Sequence, residues 1–172
     1  MILTLKAIEE LLSPWQSAYS DSTVLSTTVT ALHLIGMLVG GGLAIAADRA
    51  TLRISNERPG ERERHLGELN AIHRPVLIAL GILFVTGVAM VASDVVTFLT
   101  SPVLWIKLSL VTLLVINGVV LERIESALRR NGTGSTGDLH AGLWRRLRLS
   151  AVCSIALWIG TLIAGTVLVN AA

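Results

Sequence analysis

The 172-residue sequence predicts an all-α integral membrane protein: an up-down bundle of four transmembrane helices preceded by an amphipathic interfacial helix. The composition is 52% hydrophobic and only 15% charged, with a mean hydropathy of +0.69, unlike a soluble domain. Four apolar stretches each have about the 17–25 residues that cross a hydrocarbon core roughly 30 Å thick. None alternates polar and apolar residues as a strand does, so all four are expected to be helices.

The predicted membrane spans lie at about 24–47, 75–93, 103–121 and 149–169. Pro75 opens the second of them, because proline is favoured at the first position of a helix. Four spans in a chain of this length make one transmembrane domain over residues 1–172. The stretch ERIESALRR is expected to extend the third helix beyond the lipid, and RRNGTGSTGD to form a flexible hinge after it.

The first 23 residues are expected to form an amphipathic segment that lies on the outer membrane surface. Ile8, Leu11, Leu12 and Trp15 share one face of this helix. Pro14 predicts the end of the helix nearby, since proline has no backbone N–H to continue the hydrogen-bond ladder. The segment lacks the basic start and long apolar run of a cleavable signal peptide.

The basic residues predict the orientation of the bundle. Of the fourteen lysines and arginines, six arginines lie between the first two spans and six between the last two. By the positive-inside rule these two loops face the cytoplasm and both termini face outward, as in a multi-pass protein of an inner membrane. The first loop mixes its arginines with acidic residues, so no nucleic-acid-binding patch is predicted.

Soluble-enzyme motifs are missing from the sequence. The chain has a single cysteine, Cys153, which excludes an intrachain disulfide and a cysteine-rich metal site. It contains no P-loop, dinucleotide fingerprint or nucleophile elbow. Polar residues inside the spans are therefore the candidates for a functional role.

His33 and Lys107 are the two such residues in the outer half of the predicted bundle. His33 lies nine residues into the first span, and Lys107 four residues into the third. At 1.5 Å per residue these positions are about 13 Å and about 6 Å below the outer surface. Helices one and three are diagonal in an up-down bundle, so both side chains are expected to face one cavity. The alternatives are a packing histidine and a lysine that snorkels to the headgroups.

Other residues in the spans add to this candidate site. Met37 lies one helical turn below His33, and Gly36 with Gly40 forms a small-xxx-small face that admits another helix or a flat cofactor. Asn117 is expected to hydrogen-bond a neighbouring helix. Boundary charges such as Asp48 and Arg49 are expected to be solvated at the end of the first helix.

Three stretches resemble the CopD/HemJ superfamily of small bacterial membrane proteins. They read TALHLIGMLVGGGLAIAADR, HRPVLIALGILFVTGVAM and WIKLSLVTLLVINGVV. The shared pattern is a histidine early in one helix, an arginine at its end, a Thr-Gly pair in the next helix and a Trp-x-Lys that opens the third. Here these residues are His33, Arg49, Thr86 with Gly87, and Trp105 with Lys107.

The resemblance implies a haem b site in a bacterial cytoplasmic membrane. In HemJ-type proteins the equivalent histidine and lysine are implicated in haem b binding and activity. By carry-over, His33 is the candidate axial metal ligand and Lys107 the catalytic residue, with Arg49 and Met37 as further cofactor-binding candidates. The chain lacks the Asn-Glu-x-Pro run of HemJ, so it is more similar to superfamily members without an assigned activity.

Three functions of different class follow from these residues. The first is a haem-b-binding redox or electron-transfer protein, a membrane oxidoreductase or a subunit of one, with a quinone or porphyrin as partner. The second is copper handling, with His33, Met37 and Met90 as soft ligands. The third is a non-catalytic membrane subunit that packs through its glycine-rich faces, in a homo-oligomer or a larger complex.

Overall fold

The computed structural model describes residues 2–54, 59–130 and 138–171, and within them the chain is helical with no strand. The six helices in these ranges are α1 Ile2–Asp21, α2 Thr23–Arg53, α3 Pro59–Ser93, α4 Val95–Thr100, α5 Pro102–Arg130 and α6 Asp138–Ala171. Four of them, α2, α3, α5 and α6, are long and apolar enough to cross a membrane. The predicted fold class, an all-α membrane bundle with four spans, is confirmed.

The long helices pack in the order expected of an up-down bundle. Helix α2 runs along α3, α5 runs along α6, and α2 also packs along α6. Helices α2 and α5 make no extensive contact within the described ranges, so they lie diagonally across the bundle. One end carries α1 and the short α4, and we call it the α1 end. At the other end lie the last turns of α2 and α5, with Arg53, Arg129 and Arg130, and we call it the arginine-rich end.

Helix α1 packs against α3 and α2 at the α1 end, where the Trp15 indole Nε1 donates to the Ala89 carbonyl over 3.0 Å. The prediction that this helix ends near Pro14 is wrong, because it continues to Asp21. The missing N–H of Pro14 leaves the carbonyl of Glu10 without its helical donor, and the Ser13 hydroxyl supplies one at 2.9 Å. The helix therefore passes the proline with that carbonyl satisfied.

Helix α3 begins at Pro59, so the predicted helix start at Pro75 is also wrong. A proline inside a helix removes one backbone hydrogen bond, but packing of the flanking turns can hold the helix together. Leu66 and Leu69, which precede Pro75, are both buried against neighbouring helices. The predicted extension of the third helix is confirmed, since α5 continues to Arg130. The predicted hinge at 131–137 lies outside the described residues.

The buried apolar cluster of the protein lies at the arginine-rich end. Its members come from α3, α5 and α6 and are Leu66, Leu69, Leu128, Trp144 and Leu147. Along the predicted spans, by contrast, large apolar side chains such as Leu38, Phe84 and Val85 are exposed on the outside of the bundle. These outward-facing side chains form a surface that contacts the lipid bilayer.

Candidate functional site

His33 projects from α2 toward α3 and is half-buried between the two helices. Its Nδ1 lies 2.8 Å from the Thr86 Oγ1. The same Oγ1 lies 2.7 Å from the Ile82 carbonyl, to which the hydroxyl donates its only proton. With the hydroxyl donating to this carbonyl, the Thr86 oxygen accepts from His33, and the proton of the neutral imidazole is on Nδ1. This tautomer leaves the lone pair of the imidazole on Nε2.

The Thr-Gly pair of the sequence pattern lies directly against this imidazole. Thr86 holds Nδ1, and a Cβ atom added to Gly87 would lie 3.6 Å from the His33 Cε1. Thr86 is buried, so its hydrogen bond with His33 is shielded from competing solvent. A partner that fixes the orientation and tautomer of an imidazole is characteristic of histidines that ligate metals.

The side chain of Lys107 extends from α5 toward the neighbouring helix α6. A Cβ atom added to Gly165 would lie 3.5 Å from its Nζ and 3.7 Å from its Cε. Gly165 lies four residues from the end of the predicted fourth span, the same depth as Lys107 in the third. The side chain therefore runs level with its own backbone and does not extend to the membrane surface, as a snorkelling lysine would.

The ammonium of Lys107 has no carboxylate partner within the described ranges, where the ion pair is Arg64 with Glu68. His33 and Lys107, which were predicted to face one cavity, both lie toward the α1 end of the bundle, on α2 and α5. His33 provides a half-buried imidazole there, and Lys107 a half-buried ammonium without an ion pair among the described residues.

Of the other predicted site residues, the two methionines lie one helical turn from His33 or Thr86, and the arginine lies far from both. Met37 is half-buried one turn from His33 on α2, and Met90 is half-buried one turn from Thr86 on α3. Arg49 is exposed, sixteen residues from His33, which is about 24 Å along the helix. Arg49 therefore lies at the arginine-rich end and is not part of the group around His33.

The glycine-rich face of α2 is filled by helices of this chain. Cβ atoms added to Gly36, Gly40 and Gly41 would lie 3.2 Å from Leu83, 2.9 Å from Ala79 and 3.1 Å from the Trp158 ring, respectively. These glycines allow α3 and α6 to approach α2 closely. Of the two occupants predicted for this face, a helix and a flat cofactor, the structure shows a helix.

Asn117 makes the interhelical hydrogen bonds that were predicted for it. Its Nδ2 donates to the Ser150 carbonyl over 3.1 Å, and its Oδ1 accepts from the Ser150 hydroxyl over 2.9 Å. Both polar groups of the amide are therefore satisfied by α6. This pair ties α5 to α6 inside the predicted spans.

Two buried carboxylates near the arginine-rich end were not predicted. Asp48 on α2 is 4% exposed and Glu125 on α5 is 3% exposed, so the expectation that Asp48 is solvated is wrong. Asp48 Oδ2 and Glu125 Oε1 have no hydrogen-bond partner among the described residues. Glu125 lies between Leu121 and Leu128 on the apolar face of α5. That spacing is the sequence signal that marks it as buried.

A histidine also lies near this end. His65 is buried on α3, with its Nε2 2.9 Å from the Thr51 Oγ1 of α2. Within the described ranges, no group of three His, Cys, Asp or Glu side chains is arranged to hold a metal ion.

No protein-family model, curated protein or solved structure matches this chain. The similarity to the CopD/HemJ superfamily therefore remains a prediction from the quoted motifs.

Proposed function

We propose that this protein is a haem-b-binding redox protein of the membrane, similar to the CopD/HemJ superfamily, with His33 Nε2 as the axial ligand. The observation that carries the proposal is the hydrogen bond between His33 and Thr86. It holds the imidazole in the tautomer that leaves Nε2 available. Haem b would supply one-electron chemistry when bound.

The donor set favours haem over free copper. A porphyrin provides four nitrogen ligands of its own, so one protein imidazole is enough to hold the iron. A copper site needs several protein ligands, and the chain would have to assemble it from His33 with Met37 and Met90. Neither methionine sulfur is held by a partner as the His33 ring is by Thr86.

Lys107 supplies the second interaction of the proposed site. Its ammonium makes no ion pair with the described residues, and an isolated charge within the spans is costly. We assign it to an anionic group of the bound molecule: a haem propionate, a porphyrin carboxylate or a quinone oxygen. Neutralising that anion would position the molecule against His33 and lower the cost of its charge in a low-dielectric environment.

An absorption spectrum with metal analysis tests the proposal. Protein purified from haem-replete cells should show the Soret band and reduced α-band of haem b, and His33→Ala should lose it. Thr86→Val keeps the size of the side chain but removes the acceptor for Nδ1, so haem affinity should fall about 10–100-fold. Thr112→Val, an exposed position on α5, is the matched control. Colourless protein that contains copper would refute the haem assignment in favour of copper.

The proposed orientation has both termini outside a bacterial cytoplasmic membrane. It is supported by the two groups of six arginines that lie between the predicted first and second spans and between the third and fourth. A cysteine introduced at Asn131 should react with an impermeant thiol reagent only in permeabilised cells. One introduced at Ser22 should react in intact cells, and the opposite accessibility would overturn the orientation.

A further inference from the structure

An open groove of about 450 Å³ runs between α5 and α6 on the outside of the bundle. Its residues recur every three or four positions on both helices, so each helix contributes one continuous face. From α5 these include Val120, Arg123 and Ala127, and from α6 they include Arg146 and Leu149. On α5 the groove extends from Asn117 to Ala127, about 15 Å of helix, and Asn117 and Val120 of this stretch lie within the predicted third span.

The charge in this groove is positive and uncompensated. Arg123 and Arg146 both line it, and no acidic side chain does. Neither arginine makes an ion pair within the described ranges. They lie just past the end of the predicted third span and just before the start of the fourth, which is the level of the phospholipid headgroups at the arginine-rich end.

The part of the groove toward the membrane centre is apolar and closed to further polar contacts. Val120, Leu149 and Cys153 line it, and Asn117 with Ser150 forms its floor. Asn117 and Ser150 hydrogen-bond each other, so neither side chain is left to recognise a polar partner. An acyl chain packs against such an apolar surface without making hydrogen bonds.

We propose that this groove binds one anionic phospholipid, with its phosphate between Arg123 and Arg146 and an acyl chain along Val120 and Leu149. Guanidinium groups bind phosphate oxygens through two parallel hydrogen bonds, and basic pockets between transmembrane helices hold anionic headgroups. A phospholipid matches the groove in charge, polarity gradient and length. The site is separate from His33 and does not depend on the proposed haem binding.

The full chain in detergent micelles provides the test, with phosphatidylglycerol and phosphatidylcholine as probes. Phosphatidylglycerol should bind at least tenfold more tightly than phosphatidylcholine in a lipid titration followed by native mass spectrometry. The double variant Arg123→Gln/Arg146→Gln should lose this preference. The matched control Arg130→Gln/Arg145→Gln removes the same charge from exposed positions on the same helices, outside the groove, and should retain it.

Cys153, the single cysteine of the chain, locates the bound lipid because it lines the groove and is exposed. Its alkylation by N-ethylmaleimide in micelles should slow on addition of phosphatidylglycerol in wild type and in the control variant, but not in Arg123→Gln/Arg146→Gln. Equal binding of both lipids, equal losses in the two double variants, or unprotected Cys153 would overturn the proposal. So would equal protection by inorganic phosphate, or a dimer that protects Cys153 without lipid.

Discussion

Leu128 and Leu147 are fully buried where α5 and α6 extend past the predicted spans, whereas α2 and α3 meet through Gly40 and Ala79 within them. The arginine-rich end is thus packed with large apolar side chains, as in a soluble helical bundle. In the membrane region α2 approaches its neighbours through small residues, and many of the large apolar side chains face outward. The same four helices use two kinds of interface along their length.

The difference follows from the solvent around each region. Burial of a leucine stabilises a fold when the alternative is water, because the hydrophobic effect is a property of water. In lipid an unburied side chain already contacts hydrocarbon, so burial of a large apolar side chain adds little stability. Helices there associate through close backbone approach and interhelical hydrogen bonds, such as those of Thr86 with His33 and Asn117 with Ser150.

The two regions also differ in the charges that they bury. Near the α1 end the half-buried charge is the ammonium of Lys107. Toward the arginine-rich end the buried charges are the carboxyl groups of Asp48 and Glu125. Arg129 donates to the Leu66 carbonyl near Glu125 and links α5 to α3. The comparison predicts that substitutions of similar size have different effects in the two regions.

The largest effect is expected at Lys107. Lys107→Met should insert normally, since it removes a charge from the spans, but should lose bound cofactor much as His33→Ala does. An anion left without its cationic partner in a low-dielectric site typically costs about 3–5 kcal/mol. Haem content per protein measures this effect, and Ser109→Met, exposed on the same helix, is the control. Normal haem content in Lys107→Met would show that the lysine is an interface anchor.

Leu128→Ala tests the apolar packing at the arginine-rich end. This side chain is 0% exposed, so truncation should lower the free energy of unfolding by about 2–5 kcal/mol. Leu113→Ala, at 51% exposure on the same helix, faces lipid and should change it by less than about 0.5 kcal/mol. Unfolding titrations in SDS, followed by tryptophan fluorescence, measure both. Equal losses would contradict the distinction between the two regions.

Gly40→Val tests the small-residue packing within the spans. A Cβ atom at this position would lie 2.9 Å from the Cβ of Ala79, so α2 and α3 must separate. We expect a loss of about 1–3 kcal/mol in the same unfolding titration, as for other overpacked sites. A Cβ atom at Gly42 would meet nothing within 4 Å, so Gly42→Val should be tolerated. A stable Gly40→Val variant would mean that this helix pair does not depend on close approach.

The smallest effect is expected at Glu125. Its Oε1 is buried without a hydrogen-bond partner, and a neutral amide is less costly to bury than an ionised carboxylate. Glu125→Gln should therefore leave stability unchanged or raise it by about 1 kcal/mol near neutral pH. Glu122→Gln, one turn before Glu125 on α5 and exposed, is the control. A marked loss of stability in Glu125→Gln alone would show that the carboxylate itself makes a contact that holds the bundle together.

The number of spans and the helical class could be predicted from the sequence alone, and His33 and Lys107 could be singled out as polar residues within the spans. Hydropathy over a window of about twenty residues is a local property, and a polar side chain inside such a window is visible without knowing its neighbours. The helical extension to Arg130 is also a local feature, because the apolar periodicity of α5 continues through ERIESALRR.

Contacts between helices far apart in sequence were decided only by the tertiary structure. Thr86 fixes the His33 tautomer from 53 residues away, and burial of Asp48 depends on helices that the sequence around it does not reveal. The continuation of α3 past Pro75 is accompanied by burial of Leu66 and Leu69 against α5 and α6, whereas α1 passes Pro14 with a local hydrogen bond from the Ser13 hydroxyl. Local propensity marks where a helix is costly, but side-chain hydrogen bonds and tertiary contacts decide whether that cost is offset.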